Sequence, residues 1–335
     1  MSRVTRVLPA LAVLAVLVAA GCGGQSDSGG GSNGNLSLVA YSTPQEAYQK
    51  IIPAFQKTAA GKGVGFTQSY GASGDQERAV EAGLPADVVA LSLQPDVNKL
   101  VKKGLVASDW NADKYKGFVT DSIVVFAVRK GNPKHIKSWA DLVKPGVDVI
   151  SPNPFTSGGA KWNISAAYGA QIEQGKSPAQ GLDYLAKLFK NVSVLDKSAR
   201  EALSTFTSGK GDVLIAYENE AITAQQKGED IDFVRPDQTI LIENPAAVIS
   251  KSNQAGKAKA FVDFLRSDAA QKIYASKGYR PVVASLVDKK TYPDPPGLFK
   301  IDKLGGWSKV NDDLFDPDKG KIAKIFQDQG KATGG

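Results

Sequence analysis

The chain has one cysteine, one histidine and one methionine in 335 residues. A single cysteine excludes an intrachain disulfide, and with one histidine it leaves too few ligands for a zinc site. A serine hydrolase needs a base beside its nucleophile. No Gly-x-Ser-x-Gly elbow is present, and His135, in Gly-Asn-Pro-Lys-His-Ile-Lys, reads as an exposed loop residue. Beyond the N-terminus no apolar run nears the ~20 residues a spanning helix needs. The 41 basic and 34 acidic groups give a net charge of +7. These charges form no dense Lys/Arg blocks interleaved with aromatics, so nucleic acid is not an expected partner.

Arg3 and Arg6 precede an apolar run, Val7 to Ala20, which is too short to span and fits the core of a secretory signal over 1–21. It ends in Ala19-Ala20-Gly21-Cys22, which resembles the lipobox of bacterial lipoproteins and implies lipid on Cys22. Two or more acyl chains anchor stably where one is marginal. Residues 22–35 are Gly-, Ser- and Asn-rich and are expected to be a flexible tether.

From Leu36 onward, short β-branched runs alternate with segments of helical period. Strands are expected at Leu36–Tyr41, Val64–Ser69, Ala86–Leu91, Ser122–Arg129, Val147–Ser151, Val192–Leu195, Asp212–Tyr217 and Ala246–Ser250. Helices are expected at Pro44–Thr58, Gly74–Ala82, Lys161–Glu173, Ala179–Phe189, Ala199–Thr207 and Ala258–Leu265. This alternation predicts an α/β protein with largely parallel sheets flanked by helices. Its length suits two lobes. Lobe 1 is expected over 36–121 and again from 244, with lobe 2 at 122–243 and a tail after Pro281 wrapping onto lobe 1.

Helix starts after strands carry the functional signal. Thr43-Pro44-Gln45-Glu46, Ser73-Gly-Asp-Gln76 and Ser198-Ala-Arg-Glu201 have the pattern of capping boxes, and Ser157-Gly158-Gly159 opens a further helix. Such starts expose backbone N–H groups without partners and carry the positive end of a helix dipole. At the carboxyl edge of an open α/β sheet they suit a small anion. The glycines let a ligand approach the amides closely. Gly61 to Gly65 superficially resembles a phosphate loop but leads into a strand, so it is set aside. Glu218 and Glu220 suggest a carboxylate pair for a glycosidase, or alternatively the closing of a strand–helix junction.

Asn153-Pro-Phe-Thr-Ser-Gly-Gly-Ala-Lys-Trp-Asn163 and Gly211-Asp-Val-Leu-Ile-Ala-Tyr-Glu-Asn-Glu-Ala221 resemble two signatures of bacterial sulfate-binding proteins. Val125 to Pro133, Ala86 to Leu91, Tyr279-Arg280-Pro281 and Gly305-Gly306-Trp307 match in the same order. The resemblance implies a two-lobed periplasmic-binding fold of type II, without a cofactor, monomeric, lipid-anchored outside the cytoplasm and serving an ABC importer. It implies sulfate contacts at Ser42, Ser73, Ser157, Gly158, Gly159, Ala199 and Tyr217. Ser42 stands where the family often has Asp, and Tyr217 where well-known members have Trp. Arg200 would either balance the dianion from outside or pair with an acid. Sulfate accepts hydrogen bonds and donates none, whereas phosphate keeps a proton that needs an acceptor, so a donor-only site favours sulfate. Asp75 and Glu201 lie near these positions and are expected to point away. The other candidate ligands are thiosulfate, then molybdate or phosphate.

Overall fold

The computed structural model describes residues 34–333. The signal, Cys22 and most of the tether therefore lie outside the described residues. In chain order the elements run β1 Leu36–Tyr41, α1 Gln45–Gln56, β2 Phe66–Gly71, α2 Ser73–Glu81, β3 Val88–Ala90, α3 Gln94–Lys102 and β4 Phe118–Arg129. They continue with β5 Val149–Pro152, α4 Gly158–Glu173, α5 Pro178–Asn191, β6 Val192–Asp196, α6 Ala199–Thr207, β7 Val213–Tyr217 and α7 Glu218–Gln226. The last are β8 Ile231–Val234, β9 Gln238–Val248, α8 Ala255–Leu265, α9 Asp268–Ser276, β10 Gly297–Phe299, α10 Gly306–Val310 and α11 Lys321–Asp328.

The strands follow the order β2-β1-β3-β9-β4-β7-β5-β6, with β8 joined to β4 and β10 to β9. β1 pairs in parallel with β2 and β3, β5 with β6 and β7, and β10 with β9. β4 and β9 supply the antiparallel pairings, and each is long enough to serve two neighbourhoods. Ala246–Val248 of β9 pair with β3, while Leu241–Pro245 pair with the first half of β4. The second half of β4, Val124–Val128, pairs with β7. The expected strands at Ser122–Arg129 and Ala246–Ser250 are thus parts of longer ones. Pro245 lies inside β9 and is accommodated opposite Phe118, where the β4 register shifts. A proline without an N–H is tolerated at such an irregularity.

The apolar residues form separate clusters on either side of these crossing strands. Leu36, Tyr48, Ile51, Phe55, Ala246, Phe261, Leu265 and Tyr274 pack together, with Phe55 and Phe261 edge to face at 5.2 Å. Val39, Val89, Val97 and Leu100 fill the opposite face of that sheet half. Val124, Phe126, Trp139, Leu185, Phe189 and Ile215 form a larger cluster. The tail corrects the sequence reading. Phe299, Ile301, Trp307, Val310, Phe315 and Phe326 join that larger cluster, beside Trp162 and Phe189, instead of wrapping onto the first cluster. The amphipathic helix α11 buries Ile322 and Phe326 there, and Phe326 meets Phe189 edge to face at 4.8 Å. Burying such aromatic side chains stabilises by about 1.5–3 kcal/mol each.

Candidate functional site

The expected helix starts form at strand ends, though their caps differ in part from the sequence reading. α1 is preceded by Pro44 and has no side-chain cap; the Thr43 hydroxyl instead lies 3.3 Å from that of Tyr279. α2 begins at Ser73 itself, with Ala72 as its uncapped N-cap. The Ser73 hydroxyl donates to Asp96 at 2.8 Å and accepts the Ser92 amide at 2.9 Å, so a buried carboxylate outcompetes the local cap. At α4 and α6 the serine side chain caps the helix, at α6 without the reciprocal glutamate bond of the expected capping box. Ser157 Oγ accepts the Ala160 amide at 3.3 Å, and Ser198 Oγ accepts that of Glu201 at 3.2 Å.

The candidate residues lie together. A β-carbon at Gly159 would stand 3.4 Å from Ala199 Cβ, 3.4 Å from Ser157 Oγ and 3.7 Å from Tyr217 Cε1. One at Gly158 would stand 2.9 Å from Ser92 Cβ, closer than real β-carbons approach. Only glycine fits there without displacing Ser92. Ser73 reaches the group through Ser92, and the neighbouring Gly74 amide donates to Thr156 O at 3.2 Å. Ser42 is joined through Arg200, whose Nη2 donates to its carbonyl at 3.0 Å. Ser42, Ser73, Ser157, Gly158, Gly159 and Tyr217 are buried, and Ala199 is half-buried.

Arg200 pairs with an acid. Its guanidinium takes both oxygens of Glu46, at 2.8 and 2.6 Å, and Lys227 joins the same carboxylate. Burial pushes the Glu46 carboxyl up, but the hydrogen bonds from Arg200 and Lys227 outweigh it and hold the group at about 2. Asp75 pairs with Arg78 and, at 3.3 Å, with Lys197, while Glu201 is exposed. Glu218 opens α7 and is bound by Arg280 at 2.7 Å and by Arg235, which fits a strand–helix junction. His135 is exposed, and Trp162 is buried edge to face on Trp307 at 4.6 Å.

Tyr217 ends β7. Burial drives its phenol well above the usual tyrosine range, so it keeps its proton and can donate. Its amide donates to Glu220 at 3.2 Å. Burial raises the Glu220 carboxyl to about 7, against that amide bond and the Arg200 charge.

Sequence reasoning passed over Ser92, Asn244 and Tyr41. Ser92 Oγ and the Tyr217 hydroxyl are 2.8 Å apart. The Ser92 carbonyl accepts from Trp162 Nε1 at 2.9 Å and Asn244 Nδ2 at 3.0 Å, and Tyr41 donates to Asn244 Oδ1 at 3.0 Å. A signal for Ser92 existed. Leu91-Ser92-Leu-Gln-Pro95 places a serine between a strand and a proline-marked helix start, as Tyr41-Ser42-Thr-Pro44 does.

The family model for bacterial extracellular solute-binding proteins matches residues 36–280. A sulfate-binding protein of Synechococcus elongatus is 42% identical over 332 residues, covering 95% of each chain. A thiosulfate-binding protein of Pseudomonas aeruginosa is 35% identical, covering 84% of this chain and 89% of its own. The solved sulfate-binding protein SubI of Mycobacterium tuberculosis is 44% identical with a TM-score of 0.81, covering 84% of this chain and 99% of that one. The fold is that of the periplasmic binding proteins, and the family consists of binding proteins, not enzymes. On these likenesses the chain belongs to the bacterial extracellular solute-binding proteins and, among them, to the sulfate-binding proteins.

Proposed function

We propose that this chain is an extracytoplasmic receptor that captures one inorganic sulfate and passes it to an ABC importer. The carrying observation is the meeting of the α2, α4 and α6 starts with a protonated phenol, where none of the seven candidate residues has a carboxylate. Amides at Ser42, Ser73, Gly158, Gly159 and Ala199, the Ser157 hydroxyl and the Tyr217 phenol would donate to the four oxygens. Such donors bind a desolvated dianion without a contacting cation. The Arg200 guanidinium donates to the Ser42 carbonyl and so holds the turn that presents the Ser42 amide, acting from behind the first contacts.

In this reading residues 36–121, with the chain from 244 to about 281, form one lobe, and 122–243 with the later tail form the other. β4 and β9 pass between them as the hinge, and the importer recognises the closed form. Cys22 carries the lipid that holds the receptor at the outer face of the cell membrane. Thiosulfate is the second reading, favoured by the thiosulfate-binding relative.

Titration calorimetry of the purified protein with sulfate tests the proposal. One-to-one binding that survives excess phosphate supports it, and folded protein that binds no sulfate refutes it. Thiosulfate binding tighter than sulfate would select the second reading.

A further inference from the structure

We propose that Ser92 is a specificity-determining residue: paired with Tyr217, it forms a corner of the site that both takes and returns a proton-bearing hydrogen bond. The inference rests on the oxyanion-receptor reading and concerns which oxyanions the same site tolerates.

The geometry sets Ser92 apart from the other candidate residues. Its backbone is fully engaged, the amide by Ser73 Oγ and the carbonyl by Trp162 and Asn244. Its side chain is held in place yet has one hydrogen-bond partner among the described residues, the Tyr217 hydroxyl at 2.8 Å. It sits against the glycine start of α4, since a β-carbon at Gly158 would lie 3.0 Å from Ser92 Oγ. Both hydroxyls are buried, Ser92 completely. The Asn244 side chain also faces the Tyr217 phenol, and its Oδ1 takes protons from Tyr41 at 3.0 Å and from Thr120 at 3.3 Å.

A backbone amide is a fixed donor, but each hydroxyl has one proton and two acceptor lone pairs. Two hydroxyls bonded to each other share one proton between them and leave one free. Toward a fully deprotonated oxyanion, the free proton points at a ligand oxygen and the pair acts as one more donor. Toward a singly protonated oxyanion, the pair can rotate. The ligand O–H donates to one hydroxyl oxygen, that hydroxyl donates to the second, and the second donates back to another ligand oxygen. No bond breaks, and every proton keeps an acceptor. An indole at position 217 has a donor and no acceptor, so it cannot close this ring.

The test compares sulfate with hydrogen phosphate at mildly alkaline pH. Sulfate is titrated by calorimetry and phosphate is read by displacement, for the wild type and for Ser92→Ala, Ser92→Thr and Tyr217→Trp. Ser92→Ala keeps every backbone bond of Ser92, so the fold is retained. It is expected to leave sulfate affinity within about threefold and to weaken hydrogen phosphate at least about tenfold, equivalent to about 1.4 kcal/mol. A buried polar group left unpaired produces a loss of this size. Ser92→Thr, which keeps the hydroxyl, should restore the wild-type ratio, and Tyr217→Trp should raise the ratio as Ser92→Ala does.

An unchanged ratio in Ser92→Ala, or equal weakening of both anions, would show that Ser92 merely packs the site. No displacement from the wild type by hydrogen phosphate at about 100 mM would also overturn the inference, since the wild-type site would then give the protonated anion no place. These outcomes are distinct from failure of the receptor reading, which shows as absent sulfate binding in the wild type.

Discussion

The starts of α4 and α7 are built from the same local geometry and put it to opposite uses. Both helices follow a strand, and both have buried first turns. The first turn of α4 has no acid, and Gly158 and Gly159 stand where side chains would cover its amides. The first turn of α7 carries Glu218 and Glu220, and the buried Glu218, paired with Arg280 and Arg235, supplies the negative charge that its dipole attracts. Glu218 in turn is held by Arg280, which reaches it from the segment after α9. A helix N-terminus alone therefore does not mark an anion site. What matters is whether the chain has already supplied its own anion there.

Moving a carboxylate from one start to the other should have the largest effect. Gly158→Asp gives α4 its own anion and pushes a side chain into Ser92, and sulfate affinity is expected to fall at least about a thousandfold, or about 4 kcal/mol. Calorimetry on the variant, with circular dichroism to confirm folding, reads this; a loss below tenfold would undo the contrast.

The converse change removes the counter-charge at α7. Arg280→Ala leaves Glu218 buried with Arg235 alone, and should cost about 3 kcal/mol of stability in urea unfolding, at the low end of a broken buried pair. A cost below 1 kcal/mol would mean that Glu218 does not depend on Arg280.

Glu220 sharpens the comparison through pH. Its folded carboxyl titrates at about 7, against 4.5 for the ordinary group. The folded state thus holds a proton that the unfolded state has lost between those values, so stability falls as pH rises across that window and the penalty is complete above it. Glu220→Gln can still accept the Tyr217 amide through its carbonyl oxygen. It should remove that slope and stabilise the protein by up to about 3 kcal/mol above neutrality, with little effect near pH 4. Urea midpoints at acid and mildly alkaline pH would read it, and a slope that survives the substitution would assign it elsewhere.

The smallest effect belongs to a cap. Ser198→Ala frees the Glu201 amide at the α6 start and should cost about 1 kcal/mol of stability. Sulfate affinity should drop a few-fold if the Ala199 amide contacts the ligand, and stay unchanged if it does not.

The sequence revealed those parts of the fold where one residue type has one physical use. The β-branched runs marked the strand centres, and Ser157-Gly158-Gly159 and Ser198 marked helix starts that these serines cap. It was less informative where tertiary partners compete with local chemistry. The Ser73 hydroxyl turned from its own helix to Asp96, and that of Thr43 to Tyr279, because distant groups offered better partners than the local amides. Ser92 was hidden for a related reason. Its significance comes from Tyr217, Trp162 and Asn244, far away in the chain, although its strand–serine–proline setting was there to be noticed. The tail was misplaced because its amphipathic pattern tells that one face is buried, not against which partner.

The pairing of β3 with β9 also bears on how the chain is made. Val88 finds its partner in Val248, and no nearer segment takes that place among the described residues. The first sheet half therefore cannot be completed until most of the protein has been synthesised, and pairings between such distant segments form slowly. The two neighbours of β3 thus become available at very different times, β1 before it and β9 long after.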